Sequence, residues 1–205
     1  MAGKNRMNSE ERRAQLVDVA RRCFASNGYA HTTTAKIALM AEVSEPVLYR
    51  HFDSKLDLFH EILASTLEES RLYFAAVAAQ PSNGAEKILA LAVDFPRYCE
   101  ANRGRFRVIE RALASVEDEK SRGIIRGYYE GIVESLTRLV EEGRRDGSIR
   151  CDVAPGSLAW VFTMNGVGFC LLSALGIPEI IAPDFTTDLR RIVLGMLGYG
   201  ASGQE

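Results

Sequence analysis

Thr32–Lys55, TTTAKIALMAEVSEPVLYRHFDSK, is the stretch from which the rest of the chain can be read. Ile37, Ala38 and Ala41 fall at i, i+1 and i+4, one face of a short helix. Glu42 and Val43 interrupt that pattern, and Ser44 then offers a side-chain oxygen to cap a second helix. Glu45 and Pro46 suit its first turn, where a carboxylate meets the positive dipole end and a missing N–H costs nothing. This second helix is brief, Val47 to His51. Ser54, with Asp57 three residues on, opens a further helix in the manner of a capping box. Two short helices about a tight turn make the pattern of a helix-turn-helix.

Upstream, Leu16, Val19, Ala20, Cys23 and Phe24 recur at helical spacing behind Glu10 and Glu11, and the run stops at Asn27-Gly28. That predicts a supporting helix from Ser9, its apolar face on the two short helices and Arg12, Arg13, Arg21 and Arg22 in solvent. Met1–Asn8 is polar and basic (Lys4, Arg6) and reads as a disordered tail. Downstream, a fourth helix runs from Lys55 to about Ala79, and Pro81-Ser82-Asn83-Gly84 is a clear loop.

A fifth helix covers Ala85 to Glu100, kinked or interrupted near Pro96. A sixth lies around Arg105 to Ala114. The charge run Glu117-Asp118-Glu119-Lys120 starts a seventh, which ends near Arg144–Gly147. Ser148–Pro155 is a loop, and Leu158–Ile177 and Phe185–Tyr199 complete the series. No strand pattern of convincing length intervenes. The expected fold is all-α, about nine helices: an N-terminal three-helix head, 1–54, and a larger C-terminal helical bundle, 55–205, joined by the long fourth helix.

Composition fits a water-soluble globular chain of 205 residues, 47% apolar and 25% charged. The net charge of −2 divides unevenly: residues 1–60 sum to +2 and the remainder to −4. That is the polarity of a nucleic-acid-binding head on an acidic body. Cys23, Cys99, Cys151 and Cys170 are far apart, without a CxxC pair or a Cys/His cluster at zinc spacing. They read as reduced structural cysteines, with a redox sensor as the alternative, and no metal or cofactor is expected. The N-terminus has no apolar core behind its positive charges, so the expected location is the cytoplasm.

At Thr32, Ile37-Ala38, Val43-Ser44 and Leu48-Tyr49-x-His51-Phe52-x-Ser54-Lys55-x-x-Leu58, the chain resembles the DNA-binding domain of the TetR (tetracycline-repressor-like) regulators. The resemblance spans roughly Ser9 to Leu63. It implies a recognition helix at Ser44–His51 whose first residues, Glu45, Pro46 and Val47, meet base edges in the major groove. Pro46 and Val47 suit a thymine methyl, and Glu45 suits a cytosine amino group, unless it is turned away. Tyr49, His51 and Lys55 lie where the family usually places phosphate contacts. Thr32, Thr33 and Thr34 offer hydroxyls and a helix N-terminus to another phosphate, and Lys36 could reach backbone or base. Two positions depart from the family pattern. Glu42 stands where glycine is usual, and Ala35 stands where a longer residue often touches bases.

Leu158–Ile177 is twenty residues without a charge, long enough to cross a membrane. Asn165, Thr163, Ser173 and three glycines dilute it, and it reads as a helix shared between the protein's core and a second copy. The resemblance implies a homodimer through the last two helices. It also implies a small-molecule effector held in the body, where Phe95, Tyr98, Phe106, Tyr128, Trp160, Met164, Asn165 and Phe169 are candidate lining. The expected function is a ligand-responsive regulator, most simply a repressor on a palindromic operator. An α-helical enzyme or interaction scaffold is the alternative, but His31, His51 and His60 all lie in or beside the head, which leaves the body without a histidine base.

Overall fold

The structure, a computed structural model, describes residues 7–115, 118–177, 179 and 182–198. The basic tail with Lys4 and Arg6, together with Glu117 and Tyr199, lies outside the described residues. Among those described there are nine α-helices and no strand. They are α1 Ser9–Asn27, α2 Thr34–Met40, α3 Glu45–Tyr49, α4 Lys55–Ala78, α5 Gly84–Ala101, α6 Arg103–Ser115, α7 Glu119–Asp146, α8 Pro155–Ala174 and α9 Pro183–Met196.

The chain forms two compact units, Met1–Thr66 with Arg107–Ile125, and Leu67–Phe106 with Arg126–Glu205. The backbone passes from one to the other inside α4, α6 and α7.

In the first unit Leu16, Ile37, Leu48, Phe52, Leu58 and Ile62 are fully buried. Burying side chains of this size stabilises by about 1.5–3 kcal/mol each. Phe24, Tyr29 and Phe59 add a ring cluster with centroids 4.9–5.8 Å apart. α1 opens on a complete capping box: Asn8 Oδ1 accepts from Glu11 N–H at 2.8 Å, and Glu11 Oε2 accepts from Asn8 N–H at 2.9 Å. α4 has a looser version. Ser54 Oγ accepts from Asp57 N–H at 3.0 Å, while the Asp57 carboxylate reaches back one residue too far, to Asp53 N–H at 3.4 Å.

Arg13 is a correction to the solvated reading of α1. Its guanidinium lies 4.3 Å from the centre of the Phe52 ring, donates to the His51 carbonyl at 2.5 Å and pairs with Glu61. One side chain on α1 thereby fixes the end of α3 and the start of α4.

In the second unit α5 packs on α8 and α9, with Ile88, Leu91, Leu136, Phe162, Val193 and Leu197 in its core. α5 is continuous through Pro96, so of the expected kink or interruption the interruption is absent. Proline removes one backbone donor, and buried Phe95 and Cys99 on either side carry the helix through. The start of α5 meets the end of α7 closely: a Cβ on Gly84 would lie 2.3 Å from the Gly143 nitrogen. Asp146 and Ser148 accept from the first α5 amides, Gly84 and Ala85, at 3.0 and 3.1 Å.

α8 is apolar enough to pass as a membrane span, yet only 28% of that stretch is buried inside the protein. Trp160 (48% exposed), Met164 (60%), Leu171 and Leu175 (74%) run along its open side at helical spacing, and Phe185 and Ile192 are open on α9.

Candidate nucleic-acid interface and effector site

α2 and α3 are joined as a helix-turn-helix. Ala41 ends α2 and is fully buried, and Val43 N–H returns to the Ala38 carbonyl at 3.0 Å. Gln15 of α1 donates to the Ala41 carbonyl at 3.3 Å, tying the turn to the supporting helix. Glu42 takes φ +55°, the left-handed conformation that glycine would adopt without cost. Ser44 occupies the N-cap of α3, but its side chain makes no capping bond. The expected hydroxyl cap is absent, and the turn is closed by Val47 N–H on the Ser44 carbonyl at 2.9 Å.

The expected contact residues divide into three groups. Thr33, Lys36, Ser44, Pro46 and Tyr49 present themselves to solvent on the outer side of the two helices, and Val47 and His51 are half-buried. Thr33 caps α2, its Oγ1 accepting from Lys36 N–H at 3.2 Å, and the Lys36 ammonium donates to Asn27 Oδ1 at 3.1 Å.

A second group, Thr34 and Glu45, forms a polar cluster with Tyr49 between α2 and α3. The Thr34 hydroxyl donates to the Glu45 carboxylate and lies 3.2 Å from the Tyr49 hydroxyl. Glu45 is therefore turned toward α2, the second of the two dispositions open to it.

Thr32 and Lys55 make the third group: Thr32 is a correction, and Lys55 is engaged by backbone carbonyls within the protein. Thr32 is wholly buried, and its hydroxyl donates to the Gly28 carbonyl at 2.7 Å, so it cannot offer that hydroxyl to a phosphate. The Lys55 ammonium donates to the Tyr29 and Thr32 carbonyls at 3.0 and 3.1 Å, and sits 4.1 Å from the centre of the Tyr29 ring. It is a strut holding the α1–α2 connection on the start of α4. Nothing in the 3.6-residue period announces this role, because the partners are backbone carbonyls of another element.

A groove of about 530 Å³ separates the start of α1 from the α2–α3 turn. Arg12, Arg50 and His51 line it together with Glu42 and Val47. Arg12 of α1 and Arg50 at the end of α3 bring positive charge to it, which suits a polyanionic backbone running past α3.

In the body, Phe95, Tyr98 and Phe106 join Tyr73 and Phe74 in one aromatic cluster. Tyr73 stacks on Tyr98 at 4.1 Å, and Phe106 meets Phe95 and Tyr98 edge-on at 6.0 Å. The Tyr128 hydroxyl lies 2.6 Å from Ser70 Oγ. Burial pushes the Tyr73 phenol up to about 12 and the Tyr128 phenol upward as well, so both stay protonated and able to donate. Trp160, Met164 and Asn165 do not join this cluster. They lie on the open side of α8, whose inner side, with Leu158, Ala159 and Phe162, is the one buried in the core with α5. Phe169 packs on Phe185 of α9, ring centres 6.1 Å apart.

The sequence profile described as "Bacterial regulatory proteins, tetR family" matches residues 16–62, the segment that holds most of α1, the helix-turn-helix and the start of α4. The nucleoid occlusion factor SlmA of Serratia proteamaculans is 30% identical over 152 residues, which is 72% of this chain and 75% of that protein. The chain belongs to the TetR family. It is a DNA-binding transcriptional regulator of that family, all-α throughout its described residues. Its fold is shared with a TetR-family regulator of Agrobacterium tumefaciens (TM-score 0.78, 19% identity, 93% of this chain and 100% of that one). It is shared also with the regulator FadR of Bacillus subtilis, solved in complex with stearoyl-CoA (TM-score 0.73, 15% identity, 89% and 98%).

Proposed function

We propose that this regulator binds a palindromic operator as a homodimer and is released from it by a small apolar or aromatic effector, most simply as a repressor. In this reading residues 1–54 are the DNA-binding head, and residues 55–205 sense the effector and dimerise. The observation that carries it is the pairing of an exposed helix-turn-helix with an open apolar stripe on α8 and α9. Large apolar side chains left in water along two neighbouring helices call for a cover, and a second copy supplies the same stripe across a two-fold axis. A twofold dimer carries two α3 helices, which fit successive major grooves when set about 34–36 Å apart.

The effector site in this reading is the aromatic cluster of Tyr73, Phe95, Tyr98 and Phe106, with Ser70 and Tyr128 as its hydroxyls. That a structurally similar regulator holds stearoyl-CoA supports a ligand with an extended apolar part. The homodimer, the operator's symmetry and a non-catalytic role belong to the same reading.

Selection of bound duplexes from a random pool tests it. An inverted repeat whose half-sites lie about one helical turn apart is the expected result. Failure to enrich any duplex at low salt, or enrichment of a single unrepeated half-site, would overturn it.

A further inference from the structure

The sulfurs of Cys99 on α5 and Cys170 on α8 lie 2.9 Å apart. Carbon atoms in van der Waals contact stand about 3.5–4.0 Å apart, so these two sulfurs are closer than packing alone would bring them. The approach is enforced by the helices. One turn earlier on each, Gly166 faces Phe95 so tightly that a Cβ would stand 3.0 Å from the ring. Just beyond the pair, Ser173 Oγ donates to Glu100 at 2.7 Å. Contacts above and below thus hold the thiols in register.

We propose that Cys99 and Cys170 form a reversible disulfide when the protein meets a hydroperoxide. The two residues differ in access: Cys99 is buried, whereas Cys170 is partly exposed. Cys170 is therefore the attacking thiol and Cys99 the resolving one. In the first step the Cys170 sulfur bonds to one oxygen of hydrogen peroxide, the O–O bond breaks, and the departing oxygen leaves as water with the thiol proton. In the second the Cys99 sulfur bonds to the Cys170 sulfur, the S–O bond breaks, and a second water leaves with the Cys99 proton. The two sulfurs lose two electrons and the peroxide gains them. Closing from 2.9 Å to the S–S bond length of about 2.05 Å asks for under an ångström of movement.

The bond would close a loop across 71 positions and lock α5, which carries Phe95 and Tyr98, to α8, which carries the open apolar stripe. The chemistry does not depend on which effector or operator the protein uses.

The test uses the full chain carrying Cys151→Ser, because Cys151 and Cys170 share one tryptic peptide. The protein is treated with hydrogen peroxide, alkylated in denaturant, digested and analysed without reductant. The expected product is the Tyr98–Arg103 peptide joined to the Cys170 peptide, two hydrogens lighter than their sum and released by dithiothreitol. Before reduction, the oxidised protein should melt higher than the reduced one. With Cys99→Ala added, Cys170 should stop at a sulfenic acid that dimedone captures. Recovery of both thiols alkylated would overturn the proposal. So would oxidation of Cys170 to sulfinic or sulfonic acid while Tyr98–Arg103 stays alkylated.

Discussion

The Thr34 hydroxyl on α2 donates to the carboxylate of Glu45 on α3, so α3 carries its one acid tied to its neighbour. A carboxylate at the N-terminus of a DNA-reading helix gains from the helix dipole and is repelled by phosphates. Removing it should tighten binding to DNA of arbitrary sequence by about fivefold at low salt, an effect that fades as salt rises. Titration of Glu45→Ala against a random duplex at several salt concentrations checks this. Thr34→Val, which frees the carboxylate, should weaken the same binding. If both variants bind as the parent does, the tether has no part in recognition.

Lys55 presents a different expectation from a phosphate-binding lysine. Its ammonium bonds two carbonyls of the α1–α2 connection. Lys55→Ala should cost about 1–3 kcal/mol in denaturant unfolding. Its DNA affinity should fall only as far as the folded fraction falls. A large affinity loss with unchanged stability would return Lys55 to the phosphate.

Glu42 holds φ +55° in the turn between the two short helices. Glu42→Gly relieves a left-handed strain of about 1–2 kcal/mol and adds flexibility to the unfolded chain. The expected net gain is up to about 1 kcal/mol, read as a higher melting temperature. Glu42→Ala should show no such gain.

The open stripe on α8 gives a test of assembly. Trp160→Glu places a charge at its centre, and the proposed dimer should fall to a monomer in sedimentation at micromolar concentration. DNA affinity should drop with it, because two linked heads bind far more tightly than one. A Trp160→Glu protein that still sediments as a dimer would remove α8 from the interface.

Acid sensitivity should trace to Asp118. Burial pushes its carboxyl up, but the Ser121 N–H at 2.8 Å and His60 Nε2 at 2.9 Å outweigh that and hold it at about 2, below its ordinary 3.8. A carboxyl held below its unfolded value stabilises the fold above about pH 4 and loses that contribution as pH falls through about 2. Asp118→Asn should be less stable near neutrality and show a flatter decline between those limits. Parallel stability curves for the two proteins would contradict the assignment.

The helices were legible because their signals are local: the apolar period of α1 and α7, and the turn residues at Asn27-Gly28 and Pro81–Gly84. The head's outline came through for the same reason. What stayed hidden depends on distant partners. Arg13 looks like any surface arginine until Phe52, His51 and Glu61 converge on it. Lys55 reads as a free cation until the Tyr29 and Thr32 carbonyls arrive. Trp160 and Met164 share the apolarity of a pocket lining, and periodicity does not say which side of an uncharged helix faces inward. Cys99 and Cys170 are 71 positions apart in sequence, and no spacing rule joins them.

α3 is five residues long and buries one side chain fully, Leu48. A helix so short has little stability of its own. Its pose is borrowed from Arg13 and Gln15 on α1 and from the turn they grip. Pro46, Val47 and Tyr49 contribute little to holding the fold. If α3 reads the operator as proposed, mutation there changes the preferred DNA sequence at little risk to folding, and the freedom to acquire new operators is built into how sparsely α3 is anchored.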